Sequence, residues 1–213
     1  MREPNRSEPV VNIGAIDLSA EPRRAQRARR RIRRVLLNGL VAVTVAGVAA
    51  TGWVAWRIVS EKDVVLSTPN SIDSLNLDLS DDGKVLADSL RNQLAARIDL
   101  DIAVGAVYLD GTGRNVLFLG GTKLLWAPES VLDSAFSVVA DIEGSSVSDL
   151  HTVDAGDLGG TMKCGSTKTD NGDVTVCGWA DHGSLALAEF SGRGDPESAT
   201  LLRRVRSATQ TRS

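Results

Sequence analysis

The chain has few side chains with distinctive chemistry: two cysteines, Cys164 and Cys177, and two histidines, His151 and His182, in 213 residues. Paired cysteines can hold a metal, exchange electrons or cross-link. A structural zinc site wants four thiolate or imidazole ligands, and two Cys with two His leave no spare. A thioredoxin-like site wants two residues between its cysteines, whereas twelve intervene in CGSTKTDNGDVTVC. Cross-linking fits better. Asn171-Gly172 is a hairpin-turn signal between two alternating stretches, and a four-residue loop over 169–172 sets Lys168 against Asp173 and Cys164 opposite Cys177. A two-residue Asn-Gly loop would instead oppose Cys177 to Ser166. A structural disulfide is the favoured reading, ahead of a redox switch and a metal site, and it requires an oxidising compartment.

The other candidates for chemistry are weaker. His182 lies beside Asp181 and two residues before Ser184. Neighbours on an extended chain point to opposite faces, however, and Asp-His-Gly is ordinary turn composition. Asp149, His151, Asp154 and Asp157 in DLHTVDAGD could assemble a scattered site, although such a cluster is more often a solvated loop. Asp78, Ser80, Asp82 and Gly83 match the early positions of an EF-hand loop, but Ser89 stands where the bidentate Glu belongs. A helix start, with Ser80 or Asp81 as cap, explains those acids better. The sequence contains no nucleophile elbow, phosphate loop, dinucleotide fingerprint or zincin helix. No cofactor or metal is expected, and the balance leans away from an enzyme.

The compartment is set by the other end of the chain. Ten Arg against four acids leave residues 1–34 at +6, so the remainder carries −9 of the net −3. Between them, Val35 to Trp56 holds 22 residues without an ionisable side chain. As a helix that length spans roughly 30 Å, the hydrocarbon thickness of a bilayer. We read residues 1–34 as a disordered cytoplasmic tail and 35–59 as an uncleaved transmembrane signal anchor, with Trp53 and Trp56 at the membrane interface. Val48-Ala49-Ala50 and the Arg33-Arg34 pair offer weak signals for cleavage and twin-arginine export.

Arg29, Arg30, Arg31, Arg33 and Arg34 orient the anchor with its N-terminus inside and the C-terminal domain outside, and they suit anionic lipid of the cytoplasmic leaflet. No folded DNA-binding motif accompanies them, so nucleic acid is not an expected partner. Ala42, Ala46 and Ala50 recur every four residues, a spacing that permits a homodimer of helices. An alanine-rich span also produces it by chance.

Beyond the anchor, residues 60–82 read as a tether and 83–210 as an extracytoplasmic domain. Leu86, Leu90 and Leu94 form a helical stripe over 84–98. A hairpin follows over 102–109 and 115–120, then a helix over 128–140 with Leu132, Ala135, Phe136 and Val139 inward. Strands are expected over 148–153, 160–168, 174–180 and 185–190, and a last helix over 196–208, capped by Asp195. Hairpins dominate, so the expected class is α+β: an antiparallel sheet with about three helices on one face. Pro-Glu-Ser opens two of those helices, at Pro128 and Pro196, which is ordinary helix-start chemistry more than a sign of duplication.

The ending Cys177-Gly178-Trp179-Ala180-Asp181-His182, with Cys164 before it and an Arg-bearing helix after it, resembles the ectodomain ending of uncharacterised single-pass membrane proteins of actinobacteria. Those carry a cysteine hairpin ending in Cys-x-Trp-Ala-Asp. The resemblance implies topology and a disulfide, and no activity. The expectation for function is a membrane-anchored, non-catalytic binding or interaction module of the cell envelope, with another envelope protein as partner. The alternative is an envelope enzyme built around His151 and its neighbouring aspartates.

Overall fold

The computed structural model describes residues 47–49, 51–143, 146–169 and 172–212. It divides into two compact units, Met1–Trp53 and Val54–Ser213. In the first, only 47–49 and 51–53 are described, and all are helical. The orienting arginines at 29–34, most of the expected anchor, and Ala42, Ala46 and Ala50 lie outside the described residues. Among those described, no helix is long and apolar enough to cross a membrane, so the expected transmembrane helix is not among the elements found. Residues 51–62 form helix α1.

The second unit is α+β. Strands β1 (Val64–Leu66), β2 (Ser71–Ile72) and β3 (Leu75–Leu77) precede helix α2 (Asp81–Arg97). The hairpin β4 (Ile102–Leu109) and β5 (Asn115–Thr122) leads to α3 (Pro128–Glu143). Then come β6 (Ser148–Val153), β7 (Thr161–Thr169), β8 (Gly172–Ala180), β9 (Ser184–Phe190), α4 (Asp195–Thr209) and β10 (Gln210–Arg212). Eight strands form one antiparallel sheet in the order β2-β3-β4-β5-β9-β8-β7-β6, and β1 pairs separately with β10.

Helices cover both faces of this sheet, which corrects the one-face expectation. On one side Leu94 of α2 and Leu132, Ala135, Phe136 and Val139 of α3 pack with Leu119, Val176, Leu185 and Leu187. On the other, Ala199, Leu202 and Val205 of α4 pack with Phe118, Cys177, Trp179, Ala188 and Phe190. The cause is the pattern SLALAEF: alternate residues of a strand face opposite ways, and here both sets are apolar apart from Ser184 and Glu189, and all seven are buried. The segment 60–82 is likewise no mere tether. Leu66, Ile72 and Leu75 enter the α4-side core, and Tyr108 Oη donates to the Pro69 carbonyl at 3.0 Å. Burial there pushes the Tyr108 phenol up to about 12.

Local chemistry explains the helix ends. Ser80 caps α2, its hydroxyl accepting from Gly83 N at 3.1 Å. Asp78 accepts from Ser80 N at 2.9 Å, which with the Ser80 side chain holds its carboxyl below the ordinary value. These acids therefore serve a helix start. Leu90 and Leu94 are buried, whereas Leu86 of the expected stripe is exposed. α4 has Gly194 at its N-cap and Asp195 as its first helical residue, without a side-chain cap, which corrects the Asp195 assignment.

α2 lies so close to β4 that a Cβ on Gly105 would press into the Ala87 carbonyl, with Arg91 Cβ 3.2 Å away. Backbone cannot yield as a side-chain tip can. Gly105→Val is expected to cost about 1–3 kcal/mol by overpacking, read as a lower urea midpoint at unchanged slope in the full-length protein.

Candidate functional site

The hairpin β7–β8 pairs Lys168 with Asp173 and Cys164 with Cys177, the register expected. Pairing runs on to Thr169 with Gly172, so only 170–171 intervene, two residues fewer than the four-residue loop. Cys164 and Cys177 form a disulfide, their Cα atoms 4.0 Å apart and both side chains buried. The Asp195 carboxylate comes within 4.8 Å of both sulfurs. Since the sulfurs are spent in the S–S bond, that grouping is not a thiolate metal site.

Strand β8 delivers the residues that follow to a buried polar hub. Asp181 is fully buried. Its Oδ1 accepts from Gly183 N at 2.9 Å, Ser184 N at 2.7 Å and Ser184 Oγ at 2.9 Å. Its Oδ2 accepts from Arg206 Nη2 and Arg212 Nη2, each at 2.9 Å, and Gln210 Nε2 at 2.6 Å. Burial pushes this carboxyl up, but the Gln210 amide, the two guanidiniums and the Gly183 peptide outweigh it and hold the group below its ordinary value. Arg206 is 1% exposed, stands 5.5 Å over the Trp179 ring and donates to the carbonyls of Gly159 at 2.7 Å and Ala155 at 3.3 Å. The hub thus joins β8, α4, β10 and the loop 154–159.

These bonds dispose of a triad at His182. Ser184 Oγ is turned to Asp181, while His182 Nδ1 lies 2.8 Å from the Leu125 carbonyl and His182 N donates to Glu61 Oε2 at 3.1 Å. Glu61, also held by Arg57 Nε at 3.0 Å, docks the end of α1 onto the turn after β8. A Cβ on Gly183 would strike the Glu61 carbonyl. Trp53 and Trp56 are both exposed.

The DLHTVDAGD residues separate. His151 sits on the sheet's edge strand β6, its Nδ1 2.8 Å from Asp149 O and its Nε2 3.1 Å from Asp195 Oδ2. Asp149 has φ 54 at the register shift between Ser148 and His151, a bulge that blunts this edge against further strand pairing. Asp154 and Asp157 line a different place. A hollow of about 630 Å³ runs along α4, between the β2–β3 turn at Asp73, the loop 154–158, and Thr200, Arg203 and Arg204. Arg203 Nη1 donates to Asp154 O and Arg204 Nη1 to Asp73 Oδ2, each at 3.2 Å. His151 does not line it.

A second hollow of about 290 Å³ shares Thr200 and Arg204 and continues to Asp110, Arg114, Arg193 and Glu197. The Arg193 side chain is 2% exposed, with Nη2 2.7 Å from Asp110 Oδ2. The Thr112 hydroxyl, helped by the Thr112 and Arg114 peptides and the Arg114 guanidinium, keeps the Asp110 carboxyl far below its ordinary value against a partial burial cost. The two hollows adjoin at Thr200 and Arg204, as a groove that lines this side of α4 with guanidiniums and carboxylates. Sequence reasoning missed it, because its residues come from four stretches; the only local signal was Asp110 and Arg114 bracketing a Gly-rich turn. No protein-family model, curated protein or solved structure matches this chain.

Proposed function

We propose that the chain is a single-pass, membrane-anchored protein of the cell envelope, with its N-terminus inside and its C-terminal domain outside the cytoplasm. The Arg-rich segment faces anionic lipid of the inner leaflet, and the domain is a non-catalytic binding module that engages another envelope protein. The groove along α4 carries this reading. Its Arg and Asp side chains suit a polypeptide segment of mixed charge, and Arg206 of the Asp181 hub is among its lining residues. The disulfide supports an oxidising compartment, and the Cys-x-Trp-Ala-Asp ending fits the single-pass actinobacterial proteins it resembles.

A photo-crosslinker at Ser207, beside the groove, is expected to trap one envelope protein in intact cells. The same group at Asn92, exposed on α2, traps none. Arg203→Glu with Arg204→Glu lowers the Ser207 adduct about tenfold, equivalent to ~1.4 kcal/mol, at unchanged thermal midpoint. Equal trapping at both sites, or an adduct indifferent to the charge reversal, overturns the reading. One observation favours the enzyme alternative, the His151 and Asp195 pair at 3.1 Å. Under that alternative alone, His151→Ala abolishes a turnover.

A further inference from the structure

An apolar face lies apart from the groove. Val65, Ile102 and Leu124 rim a hollow of about 490 Å³ that also takes in Lys62 and Lys123, and they are 59%, 60% and 40% exposed. Trp126, two residues beyond Leu124, is 74% exposed, with buried Leu125 between them. Three large apolar side chains around one hollow, with an exposed indole two residues along the chain from one of them, are more than scattered surface hydrophobics, and such a patch marks an interaction surface. An indole with an apolar body and one polar N–H suits a boundary between hydrocarbon and water.

The chain's own connectivity names the occupant. Leu125 N donates to His182 O at 2.9 Å and Lys123 N to Gly183 O at 3.2 Å, so the segment 123–126 lies along the turn that Glu61 clamps. Glu61 is five residues beyond Trp56, where the 22-residue apolar stretch ends. Five helical residues rise roughly 7–8 Å, and the polar layer of a bilayer is about 5–8 Å deep on each side. Under the anchored reading, the segment 123–126, bonded to the turn that Glu61 holds, is within reach of the headgroup layer. Charge does not drive the contact, because Arg57 pairs with Glu61, Lys62 with Asp63 and Lys123 with Asp99, while Asp101 adds a negative group.

We infer that the face formed by Trp126, Leu124, Ile102 and Val65 seats the domain on the outer surface of the membrane that anchors it, by apolar insertion into the headgroup layer. This inference rests on the anchored reading proposed above. The tether makes the contact intramolecular, so a weak patch suffices.

The test uses the full chain reconstituted in phosphatidylcholine vesicles containing brominated acyl chains, which quench tryptophan on contact. Trp126→Phe leaves Trp53 and Trp56 as reporters of the anchor, and Trp53→Phe with Trp56→Phe leaves Trp126 as the exposed reporter, since Trp179 is buried. Quenching in both proteins, unchanged when anionic lipid is added, is the expected result. Quenching only in Trp126→Phe keeps the anchor and overturns the seating, leaving the face to a protein partner. Absence of quenching in both overturns the anchor, and the seating with it. Quenching of Trp126 only with anionic lipid present overturns apolar insertion.

Discussion

Asp181→Asn in the full-length protein is expected to lower the free energy of unfolding by about 3–5 kcal/mol, the cost of leaving a buried charge without its partner. Every acceptor position on this carboxylate faces donors: two peptides and a hydroxyl at Oδ1, two guanidiniums and an amide at Oδ2. Whichever way an asparagine side chain is turned, its NH2 group meets N–H groups, and Arg206 keeps its charge at 1% exposure without the carboxylate that bonds to it. Arg212→Ala removes a partner whose side chain is 24% exposed, so water screens what remains and the loss is expected to be smaller. Urea unfolding followed by circular dichroism measures both. A loss below about 1 kcal/mol for Asp181→Asn would place the cluster among solvent-screened surface pairs.

The same carboxylate fixes the sign of the acid limb. Its pKa is held below the ordinary value in the folded state, so the unfolded chain binds the proton first as pH falls. The stabilisation is present above about pH 4, near the ordinary aspartate value, and is lost as pH drops through the folded value. Asp110 titrates in the same sense. Asp181→Asn is therefore expected to flatten the acid limb of the stability curve, while stability between pH 6 and 8 stays low and level.

The elements with strong local signals were legible. The 3.6-residue stripe of α3, with Leu132, Ala135, Phe136 and Val139, is buried as expected, and β6 spans the expected residues. The loop read over 169–172 sets Cys164 against Cys177 as observed, whereas alternation alone also allowed the Asn-Gly loop that opposes Cys177 to Ser166. What escaped depends on contacts distant in sequence. Residues 60–82 read as a tether because β1, β2 and β3 are two or three residues long, too short for periodicity, and are recruited by partners such as β10 at the far end of the chain. SLALAEF did contain the two-sided pattern, but alternating Leu and Ala can pass for one large and one small face. Arg203, Arg204 and Arg206 of α4 look alike in sequence, yet Arg206 is buried against Asp181, because nothing local tells an exposed arginine from a buried one. The groove was invisible for the same reason: Asp73, Asp110, Asp154 and Arg204 are brought together only by the fold.

The Trp-Ala-Asp stretch after Cys177 takes on a physical meaning in this structure. Trp179 stacks on Phe118 at 5.9 Å and has Arg206 over its ring at 5.5 Å, Asp181 gathers the C-terminal residues, and Cys177 ties the strand to β7. The Arg206 contacts fasten the sheet to α4, the disulfide and the ring stack fasten strands of the sheet that α4 packs on, and α4 is the wall of the groove. Under the binding role proposed above, specificity can then vary at Arg203, Arg204 and Asp154 while the fastenings stay fixed.

Removal of the disulfide is expected to show the strength of one of those fastenings. The cysteines are 13 positions apart, and opening a loop of that size restores denatured-chain entropy worth about 3 kcal/mol. Cys164→Ala with Cys177→Ala also truncates two side chains in the α4-side core, which adds to the loss rather than offsetting it. The double variant should unfold at a lower urea concentration, with Asp181 and Trp179 otherwise undisturbed. Burial makes a second prediction about rate. Reductant can attack only a sulfur it can reach, and neither sulfur has accessible surface. In native buffer the bond should therefore open at the rate of unfolding and accelerate steeply with urea. Reduction at a urea-independent rate, as fast as in the denatured chain, would make this pair an accessible redox switch instead of a staple.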